Sequence, residues 1–226
     1  WINFSCCSYL RRSCNFRCLH RTNGILIMRS GQFKIFFILL NLAMFSYSCI
    51  SQERYVLKCK KELLEASFDT LLAQVGIIEK SGKNDGEVVK YNQILGLPKN
   101  APYCAAGQYY CFFVSAKSLK LDVNEIPIKR TGVANEIFID ARKKGKKTSL
   151  QLQKHDLIVW KKLKSWAGHI ERVIKVGTGG WCQTVGFNTK GFDTRINREG
   201  NGVFIKKRNL FHFNSRMIIR GVVGFE

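Results

Sequence analysis

The hydrophobic period of this chain switches once, near residue 150, from helical to extended, and that switch limits the folds open to it. Before it, Leu63, Leu64, Ala66, Phe68, Leu71, Leu72 and Val75 recur at helical spacing, which predicts an amphipathic helix over Glu62–Val75 ended by Gly76. A second helix is expected from Glu87 to Leu95, closed by Gly96. A third starts at Cys104, behind Pro102, and runs through Val114. A fourth covers Val133–Lys144 and ends in basic residues that suit a helix C-terminus. After the switch, Asp156–Trp160, His169–Val176, Trp181–Phe187, Val203–Lys206 and Met217–Val223 are β-branched and aromatic runs. Gly177, Gly179, Gly180, Gly191, Gly200 and Gly202 punctuate them. Helices first and strands after predict an α+β domain, with N-terminal helices packed on a C-terminal antiparallel β-sheet. No long linker or internal repeat interrupts residues 52–226, so one domain is expected there.

The segment ahead of it reads as a leader. Met28 is the first methionine; Arg29 and Lys34 precede an apolar run, Ile35–Phe45, of the length of a signal-peptide core and too short for a comfortable membrane span. Ser46 and Ser48 are small residues placed for cleavage before Cys49. That cysteine also fits, with Tyr47 as an imperfect neighbour, the acylated position of a lipoprotein. Residues 28–51 are therefore expected to direct export, by a signal or a lipoprotein signal, to the periplasm, cell envelope or exterior. Residues 1–27, with Cys6, Cys7, Cys14 and Cys18 at no convincing metal-ligand spacing, are read as upstream translation or a removed leader.

The 226-residue chain has 37 Lys and Arg against 16 Asp and Glu, a formal charge of +21. Residues 1–51 hold six of the basic residues and none of the acidic ones, so the remainder is still strongly basic. Such a field favours anionic partners: nucleic acid, acidic headgroups or cell-wall polymers. No helix-turn-helix, RNP or zinc-finger pattern supports nucleic acid, which is not expected as a partner. Beyond the leader, Cys59, Cys104, Cys111 and Cys182 remain, with their pairing open.

Cys104 and His169 are the residues suited to chemistry. Pro102 before Cys104 and Ala105, Ala106 and Gly107 after it describe a helix start with little bulk around the first turn. A thiol there faces unpaired N–H groups and the positive end of the helix dipole. Both favour thiolate, and the same groups suit an oxyanion. A small buried core cysteine is the plainer alternative. A thiolate nucleophile needs a base, and His169 follows a glycine at the start of a predicted strand, a rigid mount beside open space. His155 reads as a turn residue and His212 as part of a polar connection.

These residues also carry a resemblance. N-D-G (84–86), N-A-P-Y-C-A-A (100–106), D-L-I-V-W (156–160), G-H-I-E-R-V (168–173), G-F-N-T (186–189) and E-G-N-G-V-F-I-K-K-R (199–208), in that order, resemble the CHAP family (cysteine, histidine-dependent amidohydrolase/peptidase) over roughly Leu63–Phe225. The resemblance implies a papain-like CHAP fold and an exported, monomeric cysteine hydrolase that cleaves amide bonds of peptidoglycan. Its partners would be a stem or cross-bridge peptide and anionic wall polymers. Cys104 would be the nucleophile and His169 the base and acid, with no metal or cofactor.

The chain departs from the family pattern at several positions. The acidic residue that usually orients the histidine from the next strand is replaced by Gly186. Asn188 remains, and is expected to orient His169 through its side-chain carbonyl, as Asn does in Cys-His-Asn sites. A neutral partner stabilises imidazolium less, so reduced activity is expected. An impaired, basic wall-binding module is the alternative. Gly107 replaces an aromatic and is expected to remove packing behind the nucleophile helix; His155 replaces a glycine; Glu171 and Arg172 replace small or apolar residues beside the histidine. Arg142–Lys147 is read as a solvated helix end, Lys206–Arg208 as a strand leaving the core, and Cys111 as a buried core thiol. Trp160, Trp166 and Trp181 suit either sugar stacking or the core and cleft wall.

Overall fold

The computed structural model describes residues 53–191, 200–212 and 217–226. The leader expectations for residues 1–51 lie outside the described residues. Four α-helices, α1 (Lys61–Leu72), α2 (Val89–Gln93), α3 (Cys104–Ser118) and α4 (Ala134–Lys144), accompany seven strands. These are β1 (Arg54–Leu57), β2 (Lys146–Thr148), β3 (Leu157–Lys162), β4 (Gly168–Val176), β5 (Trp181–Thr189), β6 (Gly202–Asn209) and β7 (Met217–Phe225). The strands form one sheet in the order β2-β1-β7-β3-β4-β5-β6. The fold class is α+β. The sheet is mixed rather than antiparallel, because β1 pairs parallel to β7. Among the described residues no helix is long and apolar enough to cross a membrane.

Alternation along the strands sorts the side chains into two faces. Leu157, Val159, Ile170, Val185, Phe187 and Val223 meet the helices, while Ile158, Val173, Cys182 and Val222 build a smaller cluster on the other face with Leu150 and Leu152. Helix α3 lies between α1, α2 and the sheet, which is why it is apolar on nearly every side: Cys104–Tyr109, Cys111, Phe112, Ser115 and Ala116 are all buried. Its one polar tie to α1 is a 2.8 Å hydrogen bond between Ser115 Oγ and Thr70 Oγ1. β1 is held by Arg54, whose Nε and Nη2 donate to buried Asp156 at 3.0 and 2.9 Å. Gly224 leaves the room this guanidinium needs, since a Cβ there would stand 2.4 Å from Arg54 Nη2.

Two local features set the register that the site depends on. The β4–β5 hairpin turns through Gly179 and Gly180, at φ +61° and +78°, a left-handed pair that glycine adopts without strain. Lys175 and Val176 then oppose Gln183 and Cys182. A bulge between Val173 and Lys175 moves the pairing by one residue, so that Glu171 faces Gly186. Continued without it, the pairing would put Glu171 opposite Phe187, whose side chain belongs to the helix face.

Candidate active site

Cys104 is the first residue of α3. Tyr103 before it is fully buried, stacks on Tyr91 at 5.5 Å and donates its hydroxyl to Glu79 Oε1 at 2.9 Å. The approach loop is fixed by side-chain amides: Asn84 Nδ2 donates to Asn100 O at 2.8 Å and Asn92 Nδ2 to Ala101 O at 2.7 Å. Asp85 closes its own turn on Ser81, receiving N–H and hydroxyl at 2.8 and 2.7 Å. No side chain caps the first turn of α3, and Gly107 N–H is the first to bond within the helix, to Tyr103 O at 2.8 Å. The amides of the first turn are thus oriented outward around the thiol.

His169 stands near the start of β4, beside Cys104, whose Sγ lies 4.0 Å from Gly168 O. Its Nε2 meets Glu171 Oε1 at 3.0 Å, which leaves Nδ1 as the ring nitrogen available to the thiol. Glu171 is completely buried. Its carboxylate also accepts from Thr184 Oγ1 at 2.6 Å, Arg208 Nε at 2.8 Å and Arg208 Nη2. Burial opposes its charge, but the Arg208 and His169 hydrogen bonds win and hold it well below the usual carboxylate range. Burial likewise opposes protonation of His169. The neighbouring Cys104 and the hydrogen-bonded Glu171 carboxylate override it and carry the imidazole up to about 9. At neutral pH the ring is an imidazolium.

The position expected to be an empty carboxylate slot is therefore filled from the neighbouring strand. A Cβ on Gly186 would come 2.9 Å from both Cγ and Oε1 of Glu171. The glycine and the glutamate are one arrangement, and Glu171 is the site residue that sequence reasoning passed over. Asn188 does not orient His169: its Oδ1 is buried with no hydrogen-bond partner among the described residues, and the His169 Nε2 it would have met is bonded to Glu171. Lys206–Arg208 lies in the less buried half of β6, as a strand leaving the core does, and Arg208 also supplies the guanidinium on Glu171. The packing expected to be missing behind α3 is supplied by Phe187, whose ring a Cβ on Gly107 would meet at 2.2 Å.

The other candidates are placed away from this chemistry. His155, at φ +77°, is buried against Phe68, with Nδ1 3.3 Å from Arg172 and Nε2 3.3 Å from Glu65 Oε1. Burial first, then Arg172, lowers it to about 4, so it is neutral at pH 7. Arg172 is fully buried and donates to Ser67 Oγ at 2.9 Å and Leu64 O at 3.1 Å. Among the described residues Cys59, Cys104, Cys111 and Cys182 form no disulfide. Burial pushes Cys59, Cys111 and Cys182 up to about 11, 12 and 11. Lys146 and Lys147, read as part of a helix end, begin β2. Among the described residues no group of three or more His, Cys, Asp or Glu side chains converges as a metal site.

Two hollows flank the pair. On the Cys104 side, one of about 410 Å³ is lined by Leu95, Leu97, Pro102, Arg130, Val133 and Trp166 among others. On the His169 side, one of about 330 Å³ includes Trp160, His169, Trp181, Lys207 and Arg208. No protein-family model, curated protein or solved structure matches this chain.

Proposed function

We propose that this chain is a cysteine hydrolase of the CHAP kind, with a papain-like arrangement of helices and sheet, that is exported and cleaves amide bonds in peptidoglycan peptides. The observation that carries the reading is the Cys104–His169–Glu171 chain: a thiol at an uncapped helix N-terminus, an imidazole in contact with it, and a buried carboxylate on the far ring nitrogen. The reading of an impaired wall-binding module rested on the missing carboxylate, and Glu171 removes that ground. The basic charge of the chain suits an anionic wall.

In this mechanism the Cys104 proton already rests on His169, and the thiolate attacks the scissile carbonyl carbon. The oxyanion is received by first-turn amides of α3, each worth roughly 10²–10³ in rate. Collapse breaks the C–N bond as His169 passes its proton to the leaving amine, giving a thioester. Neutral His169 then deprotonates water, which attacks the thioester and releases the carboxylic acid, leaving the Cys104 thiolate beside protonated His169. Glu171 holds the ring orientation and the positive charge throughout.

Incubating the full chain with purified peptidoglycan and identifying released fragments by mass spectrometry tests this. Fragments that vanish in Cys104→Ala are expected, and their ends name the bond as amidase or endopeptidase. A folded chain that releases nothing from several wall types would refute the reading.

A further inference from the structure

Resting on the hydrolase reading, we infer that the hollow on the His169 side is the leaving-group subsite and that it takes an amine product bearing a carboxylate. The direction follows from the chemistry. The leaving nitrogen must receive its proton from His169, so the part of the substrate behind that nitrogen lies on the His169 side, while the acyl part sits over the amides of α3. The hollow that contains His169 is therefore the one that meets the leaving group.

Its walls and charges then define the ligand. Trp160 and Trp181 are its large apolar surfaces; the Trp160 ring centroid lies 6.0 Å from that of His169, and Trp181 is half-exposed. Lys207 Nζ stands 4.7 Å from the Trp181 ring centroid and makes no ion pair among the described residues. Arg208 uses Nε and Nη2 on Glu171, leaving Nη1 unbonded among the described residues. Among the described residues no acidic side chain lines the hollow. Glu171, behind His169 and Arg208, is fully buried and already shared by His169, Thr184 and Arg208. A volume of about 330 Å³ fits an amino acid or dipeptide rather than a polymer. A free carboxylate on the leaving amino acid or peptide supplies the counter-charge that Lys207 lacks and an acceptor for Arg208 Nη1.

The test uses the full chain carrying Cys104→Ala, titrated with glycyl-alanine and with glycyl-alaninamide and followed by tryptophan fluorescence and NMR shifts. The acid is expected to bind at least about tenfold tighter than the amide, with the gap closing in Cys104→Ala/Lys207→Gln. Lys207 is at the surface of β6, and its replacement leaves Glu171 paired. Equal binding of acid and amide, or a preference untouched by Lys207→Gln, overturns the inference. Cleavage of acyl-glycyl-alanine and its amide by the wild-type chain is measured alongside. Cleavage of neither counts against the hydrolase reading, while the titration still decides the subsite.

Discussion

Replacing Glu171 with Gln keeps the shape of the side chain and removes its charge from the far side of His169. The imidazole stands at about 9 against an ordinary 6.5, a preference for the charged ring worth about 3 kcal/mol. Cys104 and Glu171 share that work, and burial opposes it. If Glu171 supplies between half and all of it, kcat/KM falls roughly 10- to 200-fold. Direction is the sharper readout. Wild-type activity should fall on the alkaline side near pH 9, as the imidazolium that protonates the leaving amine is lost. In Glu171→Gln only Cys104 still opposes burial, and this limb should move down toward 6.5, by roughly one to two and a half pH units. Arg208 is about a third exposed, so its guanidinium can rehydrate and the variant should stay folded, which thermal unfolding checks. The assay is kcat/KM against pH on an acyl-peptide, with NMR titration of the His169 ring in parallel. An alkaline limb that stays near pH 9 at wild-type kcat/KM would refute the role given to Glu171.

Gly186→Glu alone should destabilise the fold, because its Cβ would meet Glu171 at 2.9 Å and two carboxylates would share one buried site. Glu171→Gly/Gly186→Glu should recover both the melting temperature and the alkaline limb, since the charge is only moved across the ladder. Gly107→Ala puts a methyl group 2.2 Å from the Phe187 ring and should cost about 1–3 kcal/mol in denaturant unfolding, with part of it regained in Gly107→Ala/Phe187→Leu. Stability should peak near pH 6.5. The raised His169 contributes fully below its unfolded value of 6.5 and is lost as pH rises through about 9. The lowered His155 contributes above 6.5 and is lost as pH falls toward about 4, and lowered Glu171 adds a further loss below about 4.5. Denaturant midpoints from pH 4 to 10 check this, and a flat profile would contradict it.

The helices and the five longer strands are legible in the sequence because each carries its own period and punctuation. Strands β1 and β2 are not. Arg54–Leu57 is a four-residue run with no alternation, and Lys146–Thr148 shows three polar residues. Both exist through their partners: β1 through β7 and the Arg54–Asp156 pair, β2 through β1. Cys104 and His169 are legible because a small-residue helix start and a glycine-preceded strand are local signals. Glu171 is not, because its meaning depends on what lies across the ladder. On paper the acid is missing at position 186 and surplus at position 171. Only the bulge at Val173–Lys175 makes those two facts one. The same holds for Gly107 and Phe187, a lost aromatic and its replacement from a different element.

The most direct test of the Cys104–His169–Glu171 account is site-resolved alkylation. The chain is treated briefly with limiting iodoacetamide at pH 7, and the rates at Cys59, Cys104, Cys111 and Cys182 are compared by peptide mapping. Burial holds the other three as thiols, at about 11 to 12, so Cys104 should be labelled far ahead of them and lose that lead in His169→Ala. Labelling of Cys104 no faster than of Cys59, or unchanged without His169, would contradict the account.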